Sequence, residues 1–234
     1  MTATAKLTVV ETKLLVRDPG SMFSFLIPVF ILIVFGSGIE PGDTVLLPMT
    51  LAISIGLVGL YLMPTALASY REKGILRRLA TTPVRPGSLL IVQLLLQFAL
   101  TLVSCGVLLA VAGTVLGVQL PASVLGFGVV FLLGTASVFA IGLLIAALAP
   151  SGRAANGIGV LLYFPMAFLA GLMQPASQMP AIVVRIGEFI PLGAFRQSLE
   201  DIWNGGAPDP LLLAVMAVYA VVVSFAAAKF FRWE

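Results

Sequence analysis

The chain has no histidine, a single cysteine, Cys105, and charged side chains at only 10% of its 234 positions. One cysteine excludes an internal disulfide, and with no histidine a zinc or other Cys/His metal site would have Cys105 as its single such ligand, too few to hold the ion. Cys105 lies in an apolar run and reads as a small packing residue. No G-x-x-x-x-G-K-S/T loop occurs, so the chain lacks that route to ATP. Without histidine, and without Asp or Glu inside the apolar runs, no nucleophile–base pair of an intramembrane hydrolase can be assembled. Proton- and sodium-coupled carriers bury an ionisable group in mid-span, and no charged residue lies there. A selectivity-filter-like repeat is also missing. The net charge of +3 would suggest nucleic acid only if a basic face met water, whereas the basic residues here fall between apolar runs.

What the sequence does have is apolar length. It is 60% hydrophobic with a mean hydropathy of +1.12, where soluble domains carry about a quarter charged residues. This is the composition of an all-α integral membrane protein. Charge-free runs cover residues 19–39, 44–70, 86–152, 154–184 and 210–228. A membrane-crossing helix needs about 20 residues, so the third run holds two helices, separated by the turn Gly117 to Ser123. Six spans are predicted, at 22–38, 45–70, 88–115, 123–149, 154–173 and 210–230. Placing both termini in the cytoplasm puts eleven of the thirteen Lys and Arg residues inside and leaves only Arg185 and Arg196 outside.

Outside the spans, residues 1–20 show no cleavable leader. Leu7, Val10 and Leu14 make an apolar stripe beside the basic Lys6, Lys13 and Arg17, the pattern of an interfacial amphipathic helix. Asp18-Pro19-Gly20 then turns the chain into the bilayer. The external segment 174–209 is long and mostly apolar but broken by Pro175, Pro180 and Pro191. Ile182, Val183, Val184 and Ile186 read as half-buried, and the segment as two short helices that dip back into the outer leaflet, sheltered by protein or water; a plain external loop is the alternative.

The most hydrophilic stretch is SYREKGILRRLATTPVRPGS, residues 69–88, with Arg71, Lys73, Arg77, Arg78 and Arg85 and one acid, Glu72. Ile75, Leu76 and Leu79 share a helical face, and Thr81-Thr82-Pro83 ends the helix. An apolar knob with a charged rim suits a partner's groove. The residues alone leave open the second reading, that these charges only fix topology.

The stretch REKGILRRLATTPVRPGSLLIVQLL resembles the loop between spans two and three of ABC-2-type transporter permeases. ETKLLVRDPGSMFSFLIPVFILIVFG is similar to the amphipathic helix and first span of that family, and AGLMQPASQMPAIVVRIGEFIPLGAFRQSLEDIW to its segment between spans five and six. Drug-export permeases of the daunorubicin-resistance type are closest in character. The resemblance implies one transmembrane domain over residues 1–234, with a connecting helix at 1–20, a cytoplasmic coupling loop at 71–87 and external re-entrant helices within 174–209. It implies a non-enzymatic subunit of a multi-pass efflux system, such as multidrug export or antibiotic resistance, in a bacterial cytoplasmic membrane. Two permease chains, identical or sister, would pair over two ABC ATPase subunits, which alone bind ATP and Mg. The coupling contact would be made by Arg71, Glu72, Lys73, Ile75, Leu76, Arg77, Arg78 and Leu79.

Spans two and five line the pathway in relatives. Asn156, Tyr163, Met166 and Met173 follow at intervals that share a helical face, and Met49, Gly56 and Met63 recur every seven residues. Met and aromatic groups accommodate varied apolar substrates. Ala155 and Gly159 suit close helix contact, and ordinary packing is the alternative reading for all of these. With no buried charge, the expected substrate is amphiphilic or apolar, a drug-like molecule or a lipid. Pro28, Pro64 and Pro165 interrupt spans one, two and five. A gradient-driven carrier or channel, and a non-transporting scaffold or immunity protein, are the rival function classes.

Overall fold

The charge-free runs become helices, the third run giving two, and Asp18, Ser123 and Ser151 cap helix starts. The computed structural model describes residues 3–38, 43–75, 86–121, 123–174 and 178–230, all helix, turn or coil. Helix α1 is Ala3–Arg17 and α2 is Pro19–Gly36. Asp18 starts α2 by accepting the Ser21 N–H at 2.8 Å, with Pro19 in the first turn. Helix α3 runs Leu46–Glu72, α4 Pro86–Thr114 and α5 Val124–Leu148. Ser123 caps α5 through the Gly126 N–H, and Ser151 caps α6, Gly152–Leu169, through that of Ala154, both at 3.1 Å. Two short helices follow, α7 Ala181–Glu188 and α8 Pro191–Trp203, and then α9, Pro210–Phe230.

Among the described residues, five helices are long and apolar enough to cross a membrane: α2, α3, α4, α5 and α9. The remaining expected span is α6, whose 18 residues extend about 27 Å. Arg153 and Asn156 in its first turns dilute its apolar character.

The helices differ sharply in position. In α3 83% of the most apolar window is buried, in α5 61%, but only 17–28% in α2, α4 and α9. Thus α3 is the central element. Its neighbours approach over glycine: a Cβ on Gly142 of α5 would strike the Gly59 carbonyl, and one on Gly159 of α6 the Leu60 carbonyl. The expected small-residue contact of α6 is therefore present, with Ala155 fully buried beside it. Midway along α3, Ser54 and Ser104 hydroxyls pair at 2.8 Å and join it to α4.

Between Gly56 and Met63 the central helix widens into a π-segment, Leu57–Leu62, in which the Met63 N–H reaches back to the Val58 carbonyl. Pro64 accounts for it. Proline has no N–H for the preceding turn, and its ring crowds the carbonyl four residues earlier, that of Leu60. The Thr65 hydroxyl takes up the Tyr61 carbonyl at 2.6 Å. The interruption expected at Pro64 is thus a local widening held between two glycine contacts.

The two short helices are unlike each other. In α8, Leu192, Ala194, Phe195 and Leu199 are fully buried, and Phe195 fills the space left by Gly134 of α5. Helix α7 is peripheral. Ile182 and Ile186, expected to be half-buried, are 70% and 48% exposed. Only Gly187 is enclosed, where α7 crosses the Leu169 carbonyl at the end of α6.

Candidate functional site: a clamped helix end and an apolar cavity

The coupling residues divide at Gly74. The sequence suggested a separate helix from Arg71 onward. Instead α3 continues to Glu72, and the chain turns at Gly74 with φ +65° before becoming helical again at Ile75. Glycine reaches that conformation without the steric cost a Cβ imposes, so it is suited to end a helix. Arg71 and Glu72 therefore belong to the end of the central helix.

Both engage the α5–α6 turn. The Arg71 guanidinium donates to the Ala147 carbonyl at 2.9 Å and to that of Ala149, at the C-terminal end of α5. The Glu72 carboxylate accepts the Gly152 N–H at 2.9 Å, at the start of α6. A cation at a helix C-terminus and an anion at an N-terminus each complement the exposed backbone groups and the helix dipole. Gly152 allows the close approach, since a Cβ there would displace the Ser69 hydroxyl. Lys73 is exposed and Ile75 half-buried. Leu76, Arg77, Arg78 and Leu79 lie outside the described residues.

At the other end of the bundle, a cavity of about 430 Å³ lies between α2, α3 and the segment after α6. Ile31, Phe35, Met49 and Met173 give it an apolar wall, and Asp43 and Arg196 add charge. Arg196 is only 4% exposed and is paired with Glu200 one turn on, while its Nε has no partner. Burial pushes the Glu200 carboxyl above its ordinary range, and the Arg196 guanidinium pulls it back.

A family model described as ABC-2 type transporter matches residues 2–202, from α1 through nearly all of α8. The chain belongs to that family. It is a multi-pass membrane protein carrying a membrane transport domain. No curated protein sequence matches the chain.

Within this ABC-2 domain the proposed pathway residues do not form one surface. Met49 and Met173 meet at the cavity. Met173, however, is not on the α6 face: that helix stops at Leu169, and Gly171, at φ +72°, turns the chain. The N–H groups of Gly171 and Leu172 close the end on the Phe168 and Ala167 carbonyls, each at 2.9 Å. Met63 is fully buried beside Gly142, on the opposite side of the π-segment from Met49. Tyr163 is 9% exposed, its ring lying against Gly56 and edge-on to Phe164 at 5.7 Å. Asn156 and Met166 are half-buried.

Two charged residues of this domain escaped the sequence reading. Arg196, expected outside the membrane, is nearly enclosed; the cue is its i, i+4 spacing to Glu200. Glu11 lies on α1, between Val10 and Lys13. It is 6% exposed and accepts the Tyr70 hydroxyl at 2.5 Å, while Val10 and Leu14 of the expected apolar stripe point outward. Its cue was the row Leu7, Glu11, Leu15, four residues apart.

Proposed function

We propose that the chain is the membrane-spanning permease subunit of an ATP-driven exporter, energised by a separate ABC ATPase. Two permease chains pair over two ATPase subunits, with both termini in the cytoplasm. ATP and Mg bind the ATPases, and an amphiphilic or apolar molecule, drug-like or lipid, leaves across the cytoplasmic membrane. The residues following Gly74 make the docking contact with the ATPase, and α7 and α8 are the external re-entrant pair.

The observation that supports this best is the clamp at the end of α3. Arg71 and Glu72 tie the central helix to α5 and α6 at once, directly beside the docking segment. Displacement of that segment by a closing ATPase would therefore move three helices together rather than bend a free loop. A charged rim used only for topology needs no such connection. The cavity beside Met49 and Met173 supports an amphiphilic substrate, since its apolar wall also carries Asp43 and the Arg196–Glu200 pair. Switching between inward- and outward-facing forms further requires that nucleotide and substrate bind the two forms unequally.

Affinity purification from native membranes, followed by mass spectrometry of the intact assembly, tests the reading. Co-purification of an ATPase in a 2:2 complex is the expected result. A chain that emerges without any nucleotide-binding subunit, under conditions that preserve comparable assemblies, would refute it and direct attention to gradient-driven flux.

A further inference from the structure

A second cavity, of about 450 Å³, lies at the opposite end of the bundle from Arg196, between the α1–α2 junction, the end of α3 and α4. Its volume is that of a small-molecule site. Gln97 of α4 lines it, is 0% exposed, and has no partner for either carboxamide atom. A buried carboxamide left unpaired is costly, and natural structures seldom keep one without a use. Gln93, one turn earlier and 4% exposed, lines the same space.

The charges around these amides are balanced. Glu11 and Asp18 bring two carboxylates, and Arg17 and Lys73 two cations. Asp18 is committed to the start of α2, where it accepts the Ser21 N–H and hydroxyl at 2.8 and 3.2 Å. Glu11 accepts the Tyr70 hydroxyl through one oxygen, Oε2. Apolar surface from Leu14, Leu15 and Leu62 completes the wall. A site with one available carboxylate, two cations, a hydrogen-bonding amide and an apolar margin complements a zwitterion carried on hydrocarbon.

We propose that this cavity holds the headgroup of a phospholipid with a primary ammonium, phosphatidylethanolamine. The ammonium donates to Glu11 and to the Gln97 carbonyl, and the phosphate accepts from Lys73, Arg17 and the Gln97 amide. Phosphatidylcholine has the same charges but no N–H to donate, and phosphatidylglycerol has no cation for Glu11. The inference rests on the chain lying in a membrane and is independent of any ATPase or of export.

The test is native mass spectrometry of the purified full chain with phosphatidylethanolamine, phosphatidylcholine and phosphatidylglycerol of matched acyl chains. Retention of the ethanolamine lipid should exceed that of the other two on the order of tenfold, the worth of charge-assisted hydrogen bonds. Glu11→Gln, which keeps an acceptor for Tyr70, and Gln97→Leu should each reduce ethanolamine retention to the choline level. Equal retention of all three lipids, or preference for phosphatidylglycerol, overturns the assignment. So does undiminished ethanolamine retention in a variant with wild-type circular dichroism. Should a variant fail to fold, the three-lipid comparison on the wild-type chain decides alone.

Discussion

Replacing Arg71 by alanine removes the link between the central helix and α5 while leaving the backbone of both in place. Two donated hydrogen bonds are lost, to Ala147 and Ala149. A bond from a charged donor is worth about 1.5–3 kcal/mol when fully enclosed. Arg71 is half-exposed, so water recovers part of that, and about 2 kcal/mol for the pair is the appropriate scale. For a chain of this size that lowers the unfolding midpoint by roughly 4–8 °C. Glu72→Ala removes a single contact to the Gly152 N–H and costs about 1 kcal/mol, because Ser151 still caps the next turn. The double variant should lose less than the sum, since both residues secure one turn. Midpoints are read by thermal unfolding in lipid nanodiscs, and transmission by export per folded molecule in the reconstituted complex. An unchanged midpoint in Arg71→Ala refutes the clamp. A lowered midpoint with full export at permissive temperature leaves the clamp as an anchor and refutes its part in transmission.

Gly159→Ala forces a methyl group onto the Leu60 carbonyl, a backbone atom that cannot swing aside, and should cost on the order of 1–3 kcal/mol with loss of α6 packing, read as a lower unfolding midpoint. Gly74→Ala meets no neighbouring atom, so its penalty is the left-handed conformation alone, about 1 kcal/mol; the expected outcome is reduced export with normal membrane insertion, measured against Gly74→Asn, which tolerates positive φ better. Leu79→Glu should abolish ATPase co-purification without affecting insertion, and full assembly in that variant would remove Leu79 from the docking surface. Because burial raises the Glu200 carboxyl in the folded chain, its contribution to stability is complete below the ordinary carboxylate range and is lost as pH rises through the raised value. Glu200→Gln should flatten the pH dependence of the unfolding midpoint above the ordinary carboxylate range, and an unaltered profile would show that Glu200 does not titrate there.

Helix positions were legible because bilayer thickness and charge placement leave little choice, and three of the helices have a capping residue, Asp18, Ser123 or Ser151, at their start. Faces were legible only where the helix stays regular. Met49, Gly56 and Met63 look like one stripe at seven-residue spacing, but the π-segment between the last two puts the halves of α3 out of phase by about one residue, or 100°. Met49 therefore reaches the cavity while Met63 meets α5. Pro64 was visible, but whether proline kinks or widens a helix depends on what packs against the neighbouring carbonyls, here Gly142 on that of Gly59 and Gly159 on that of Leu60, from helices distant in sequence. The roles of Arg71 and Glu72 were hidden for the same reason: their partners are terminal backbone groups, which carry no side-chain signature. The burial of Glu11 and Arg196 runs against the expectation that charge means exposure, and each has a partner that offsets its cost, Tyr70 near the end of α3 and Glu200 one turn on.

The clamp also constrains biogenesis. Arg71 and Glu72 leave the ribosome 76 and 80 residues ahead of Ala147 and Gly152, respectively. At 5–20 residues per second the second span waits about 4–15 s for the groups that close its end. A nascent chain that ends before the fifth helix therefore carries Arg71 and Glu72 at a helix end without the backbone groups they bind in the folded protein.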